Sequence, residues 1–204
     1  MSWLGFAFET THVDTPEVLD SPLARDPATL ARALAAEKAD AAASDNSDAL
    51  VLCFDTIVVH DGTVLGKPAD TPDAWRMLRL LSGRMHEVIT GCALLSPEAG
   101  VPATFAVTTQ VQMKSLDDNR IAEWMARGEY LGCAGAYNIE GQVAAVTEDE
   151  CYQNVAGLPL CHLHAALSDP GLAGYRPEGL TSPIASCNAA LRRTCRLGPR
   201  TVTN

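Results

Sequence analysis

The sequence predicts a mixed α/β fold, because apolar strand-like runs and helical segments alternate along its 204 residues. The run Ala49-Leu50-Val51-Leu52-Cys53-Phe54 is continuous and short, as a buried strand is. The stretch before it, ATLARALAAEKADAAA, is alanine-rich and helical by propensity. Residues 103–113 alternate around Phe105, Val107 and Val111, the period of a half-buried strand.

In chain order, Asp26-Pro27 supplies a helix start, with Asp26 as N-cap and Pro27 at the first helical position. Leu30, Leu34 and Lys38 then fall four apart, which puts Lys38 at the end of the apolar stripe. There it either snorkels to water or points into a site. Ile57-Val58-Val59 extends the strand character beyond Phe54, and His60-Asp61-Gly62-Thr63 reads as a hairpin turn. Thr71-Pro72-Asp73 caps a second helix with an apolar face of Trp75, Leu78 and Leu81, ended by Gly83. Residues 86–95 form another strand, and SPEAGVP loops to the 103–113 strand. Asp117 or Asp118 opens a third helix carrying Ile121, Trp124 and Met125, closed by Gly128. A glycine-rich region with a short strand at 143–147 leads to a last amphipathic helix, from Gly157-Leu158-Pro159-Leu160 to about Leu167. Residues 168–183 form a linker by their Pro/Gly content, ahead of a basic segment, 184–204.

Composition narrows the function. The chain has 47% hydrophobic and 20% charged residues, a soluble globular balance. No run approaches the roughly 18 apolar residues of a membrane span. MSWLGFAFETTHVD lacks a basic n-region and a cleavage pattern, so a cytoplasmic location is expected. The seven cysteines form no CxxC pair and read as reduced core thiols. Net charge is −10, with ten basic and 24 acidic side chains up to residue 174, but five arginines against one glutamate after it. An acidic body argues against general nucleic-acid binding. It also means that a polyanionic substrate must be held by a few placed cations, with a metal ion.

Asp55-Thr56 closes the 49–54 run, where open α/β sheets present their chemistry. Eleven residues beyond Phe54 begins Leu65-Gly66-Lys67-Pro68, a fixed positive charge. Together they suggest a base and a phosphate anchor facing one crevice. Other features carry less. His162 and His164, two apart on a helix, do not face each other. Trp75, Trp124 and Met125 have core spacing, and residues 128–141 lack the G-x-x-x-x-G-K-[ST] of a P-loop.

These motifs resemble the Maf family of nucleoside triphosphate pyrophosphatases. Its G-A-D-T-x-V and L-G-K-P patterns are matched by Cys53-Phe54-Asp55-Thr56-Ile57-Val58 and by Leu65-Gly66-Lys67-Pro68. Glu37-Lys38-Ala39 matches its helix lysine, and Leu81-Ser82-Gly83 with His86 a further segment. Ala134-Gly135-Ala136-Tyr137-Asn138-Ile139-Glu140-Gly141 resembles A-G-x-Y-x-I-Q-G, and Tyr152-Gln153-Asn154-Val155 with Gly157-Leu158-Pro159-Leu160 resembles Y-x-N-V-x-G-L-P-L. The likeness spans roughly residues 4 to 167.

The resemblance implies an elongated mixed sheet with flanking helices and two lobes around a central cleft, related to the inosine-triphosphate pyrophosphatases. It implies a homodimer that cleaves a canonical or modified nucleotide with Mg²⁺ or Mn²⁺. Asp55 would be the general base or a metal ligand. Lys38, Lys67 and Thr56 would contact substrate, and Glu140 would bind a base edge or metal. Glu140, in place of the family's glutamine, resembles the subgroup acting on 7-methyl-GTP, whereas Tyr137 and Ile139 resemble the thymidine/uridine triphosphate subgroup. Base preference stays open.

The family's opening strand and S-x-S-P-R-R loop have no counterpart before Leu4. Pro183-Ile184-Ala185-Ser186-Cys187-Asn188-Ala189-Ala190-Leu191-Arg192-Arg193 echoes them, so a circular permutation is one expectation, with Ser186, Arg192 and Arg193 on the triphosphate. An unrelated tail is the other. A catalytically weak relative that binds nucleotide or a cell-division partner is the alternative function.

Overall fold

The computed structural model describes residues 1–169, 171 and 176–197. Its centre is one sheet in the order β2-β1-β3-β4-β5. The strands are β1 (Val51–His60), β2 (Thr63–Leu65), β3 (Met85–Leu95), β4 (Ala103–Met113) and β5 (Ala144–Ala145). The α/β class holds, but among the described residues each pairing is antiparallel, so the described sheet is not mixed. The open-sheet argument for Asp55 fails with it. Asp55 lies mid-strand opposite Gly91, and β1 continues for five residues beyond it.

Local chemistry accounts for the connections. Asp61 and Gly62 both take positive φ, 48° and 74°, as a two-residue hairpin with the sheet's twist requires. That hairpin makes β2 only three residues long, and it pairs only with Val58–His60. Among the described residues, the outer edge of 51–57 therefore has no strand beside it. Asp55 and Thr56 thus sit next to an open edge, where side chains from both faces of β1 reach one space.

Helix α1 (Pro27–Ala43) starts as expected, Asp26 accepting from the Thr29 amide at 3.2 Å. Its buried side is mainly alanine (Ala31, Ala35, Ala39 and Ala42), with Leu30 and Leu34. Gly91 on β3 completes the fit. A Cβ there would run into the Ala31 carbonyl and the Arg32 amide. Small residues on both elements let the helix backbone lie directly on the strands, and Lys38 is carried down with it.

The other face packs α2 (Thr71–Leu81) and α3 (Asp118–Ala126) against Val58, Val88, Val111 and Met113. The cap of α2 is Asp70, one residue earlier than expected, accepting from the Asp73 amide at 2.8 Å. A second cluster joins Leu4, Phe105 and Val107 to Leu163 and Leu167 of α5 (Leu160–Ser168), which follows the single turn α4 (Tyr152–Val155). Each such fully buried side chain contributes about 1.5–3 kcal/mol.

The described tail is helical rather than extended. Residues Ile184–Leu191 form a helix, α6, where the permuted reading needs a strand. Arg193 donates to the Val146 carbonyl at 2.9 Å and stands over the Tyr152 ring, and Arg196 pairs with Glu148. The described part of the tail thus docks by α4, and among the described residues it adds no strand to the edge of β1. Residues 198–204, the end of the expected basic segment, lie outside the described residues.

Candidate active site

A cavity of about 290 Å³ opens between α1, the middle of β1, the Gly66-Lys67 loop, residues 132–138 and the turn after α4. Lys38, Asp55, Thr56 and Lys67 all line it. Asp55 is 4% exposed, and its Oδ1 accepts from Lys38 Nζ. Its Oδ2 is buried without a hydrogen-bond partner.

The fourth charge was not expected. Glu17 belongs to an extended N-terminal segment, and its Oε1 accepts from Lys38 Nζ at 3.1 Å and from Lys67 Nζ at 2.5 Å. Residues Val13, Thr15, Glu17 and Leu19 turn inward while their neighbours face solvent, the alternation of a strand-like segment. Leu19 packs onto Gly66, where any side chain would displace it. That contact holds the segment so that Glu17 lies between the two ammonium groups.

Electrostatics follow from this grouping. Burial pushes the Asp55 carboxyl above its ordinary value, and the Lys38 bond and charge only partly oppose it. For Lys38, burial works to lower the pKa, but the bonds and charges of Asp55 and Glu17 outweigh it and hold the ammonium above its usual value. Burial would raise Glu17, yet Lys67 and Lys38 bring it below its usual value. The site therefore favours the charged forms of Lys38 and Glu17, while Asp55 is the carboxylate nearest to proton exchange.

Neutral groups fix the walls. Thr56 Oγ1 and Thr90 Oγ1 are 2.9 Å apart, and Thr90 donates to the Asn154 carbonyl. Asn154 is fully buried and its amide reaches the carbonyls of Val88 and Val107 and the Thr109 hydroxyl. This ties α4, and so the cavity-lining Val155-Ala156-Gly157, to β3 and β4. Across the cavity, Gly135 takes φ 69° and donates its amide to the Gly66 carbonyl at 3.0 Å, which locks the 132–138 loop to the lysine loop. Tyr137 lines the cavity, and its hydroxyl is 2.7 Å from His86 Nε2. Burial lowers His86 to about 4, so the imidazole is neutral near pH 7.

The structure thus brings together Lys38, Asp55, Thr56 and Lys67 and leaves the other expected residues elsewhere. Glu140 is exposed on the turn Ile139–Gly141, which Asn138 caps, and does not line the cavity beside Asp55. Ser186, Arg192 and Arg193 belong to α6 and its end, on the α4 side. Among the described residues they do not line the cavity either.

The model of Maf-like proteins matches residues 1–169, which contain the whole cavity. The chain belongs to the Maf family. This Maf-like protein is similar to the dTTP/UTP pyrophosphatase of Pelotomaculum thermopropionicum, 43% identical over 163 residues, 78% of this chain and 83% of the relative. That of Geobacter sulfurreducens is 43% identical over 162 residues, again 78% and 83% of the two chains. That of Koribacter versatilis is 40% identical over 171 residues, 82% and 84%. The tail helix α6 lies outside the family match.

Proposed function

We propose that this Maf-like protein hydrolyses nucleoside triphosphates to the monophosphate and pyrophosphate, with residues 1–167 as the catalytic unit. The names of its relatives favour dTTP and UTP as substrates over a modified guanosine nucleotide. The observation that carries the reading is Asp55, a buried carboxylate with one oxygen held by Lys38 and the other without a protein partner, inside a cavity holding a second lysine.

The chemistry needs a deprotonated water, an α-phosphorus in line with it, and charge compensation for the leaving pyrophosphate. Lys38 orients Asp55 through Oδ1, which leaves Oδ2 to accept the water proton. The water oxygen bonds to the α-phosphorus as the α–β anhydride bond breaks, and the pyrophosphate leaves with that electron pair. Lys67, half-exposed at the mouth, and Lys38 meet the phosphate charge as point cations.

A divalent cation fits the donors present. Glu17 offers its carboxylate there, and holding the cation is the alternative to proton acceptance for the unpartnered oxygen of Asp55. Mg²⁺ is commonly held by one or two carboxylates plus substrate phosphates, and among the described residues no group of three His, Cys, Asp or Glu could hold a metal by itself. When bound, it would polarise the phosphate oxygens and neutralise charge. The expected pairing of Asp55 with Glu140 becomes Asp55 with Glu17. A cytoplasmic homodimer completes the proposal by family resemblance. Among the described residues no helix is long and apolar enough to cross a membrane.

A second reading, nucleotide binding without turnover, is favoured by one observation. The cavity's described lining has two cations, both on Glu17, while Arg192 and Arg193 dock elsewhere. A panel of nucleotides with Mg²⁺ separates the readings. Turnover predicts equal amounts of monophosphate and pyrophosphate, highest for dTTP and UTP. Saturable nucleotide binding with no product from a folded protein supports the second reading.

A further inference from the structure

Four of the seven cysteines gather at one place away from the site just described. Cys151 precedes α4, Cys161 lies in α5, Cys187 in α6 and Cys195 in the loop after α6. All four line one cavity of about 20 Å³, room for about one water molecule. All are thiols in the structure. The grouping joins two parts of the chain: Cys151 and Cys161 belong to the family-matched body, and Cys187 and Cys195 to the tail beyond it.

We propose that this cluster is an oxidation site, at which hydrogen peroxide joins Cys151 of the body to Cys195 of the tail by a disulfide. Cys195 is presented to the cluster by its own backbone, its amide donating to Asn188 Oδ1 at 2.8 Å, and Asn188 lines the same cavity. Cys151, in extended conformation at the start of α4, lines that cavity too. Arg193 also lines the cavity, its guanidinium donating to the Val146 carbonyl and standing over the Tyr152 ring. Ion coordination is the weaker use of these thiols, since among the described residues no three metal-ligating side chains form a group that can hold a metal.

The step balances with the peroxide as the named oxidant. One thiolate attacks a peroxide oxygen, the O–O bond breaks and a sulfenic acid forms with release of water. The second sulfur then displaces the hydroxyl as a second water, and the S–S bond closes. Two electrons pass from the sulfurs to the peroxide, and the two thiol protons end in the two waters. Burial holds the Cys151 thiol up at about 11 and the Cys161 thiol up at about 12, which keeps the reduced cluster stable when no oxidant is present.

The consequence lies in α4. Val155, Ala156 and Gly157, at its end, line the active cavity, so a latch at Cys151 ties the tail to a wall of that site. The disulfide also encloses the whole linker, and long loops gain the most from closure.

The test uses the full chain, treated with hydrogen peroxide, alkylated at remaining thiols and mapped without reduction. The expected result is a peptide pair joining Cys151 to Cys195 within one chain. An unfolding midpoint raised by several degrees and returned by dithiothreitol should accompany it. Cys195→Ser, which touches no group of the active cavity, should keep the basal midpoint and lose the peroxide-induced rise. Recovery of Cys151 and Cys195 both alkylated after peroxide, or a map showing only other pairings or links between chains, would overturn the assignment.

Discussion

Lys38 of α1 hydrogen-bonds Asp55 of β1 across a helix–sheet contact in which the helix contributes mainly alanine. Two charged groups of opposite sign meet there because the surrounding side chains are small enough to let the backbones approach. One consequence is that a residue with no chemistry of its own, Gly91, governs the site. Gly91→Ala places a methyl against the Ala31 carbonyl and must lift the helix. We expect a loss of about 1–3 kcal/mol in urea unfolding, as overpacking typically gives. Turnover should fall further than that loss of folded protein accounts for, because Lys38 moves with α1. Wild-type kcat in a destabilised Gly91→Ala protein would show that the Lys38 position is not critical.

Glu17→Gln keeps the shape of the side chain and removes the charge between the lysines. If Glu17 helps hold the cation, half-maximal activity should need about tenfold more Mg²⁺ or beyond. A titration of activity against Mg²⁺ at fixed dTTP reads this directly, and an unchanged midpoint would assign Glu17 to charge balance alone.

How much of this was legible in the sequence depends on how local the information was. The Asp26 cap, the Asp61-Gly62 turn and the alternation of 103–113 are decided within a few residues, and the structure has them where the sequence puts them. Asp55, Lys38 and Lys67 were legible through motif likeness. Glu17 was not. Its segment forms no helix or paired strand, and its partners lie 21 and 50 positions away. The alternation of Val13, Thr15, Glu17 and Leu19 was the available signal. In the tail, likeness to a phosphate loop competed with plain helix chemistry: Pro183 ahead of an Ala-rich stretch, Ala185, Ala189 and Ala190. The helix chemistry prevailed.

The pH dependence of turnover follows from Asp55. Its folded pKa is raised above the ordinary 3.8, chiefly by burial, so the ionised form that accepts a proton is populated only above that higher value. Activity should therefore fall on the acid side at a pH above 3.8, the ordinary value of an aspartate. The pH profile of kcat/KM checks it, and an acid limb at or below the ordinary value would contradict a buried base.

His86 predicts a separate effect on stability. Its folded pKa, about 4, lies below the ordinary 6.5, so unfolding takes up a proton between these values. The neutral buried form contributes stability that is fully present above pH 6.5 and is lost as pH falls toward 4. The loss is about 3 kcal/mol at most. His86→Phe should flatten that part of the stability curve in denaturant titrations, at the cost of the Tyr137 hydrogen bond.

The most direct measurement compares pyrophosphate release from dTTP and UTP by the wild-type chain and by Asp55→Asn, at matched folded fractions and saturating Mg²⁺. Wild type should yield pyrophosphate and monophosphate in equal amounts. The asparagine variant should be slower by about 10²–10⁴, the range of a positioned base, with its fold retained. An asparagine variant turning over at the wild-type rate would contradict the role given to Asp55 and the account built on it.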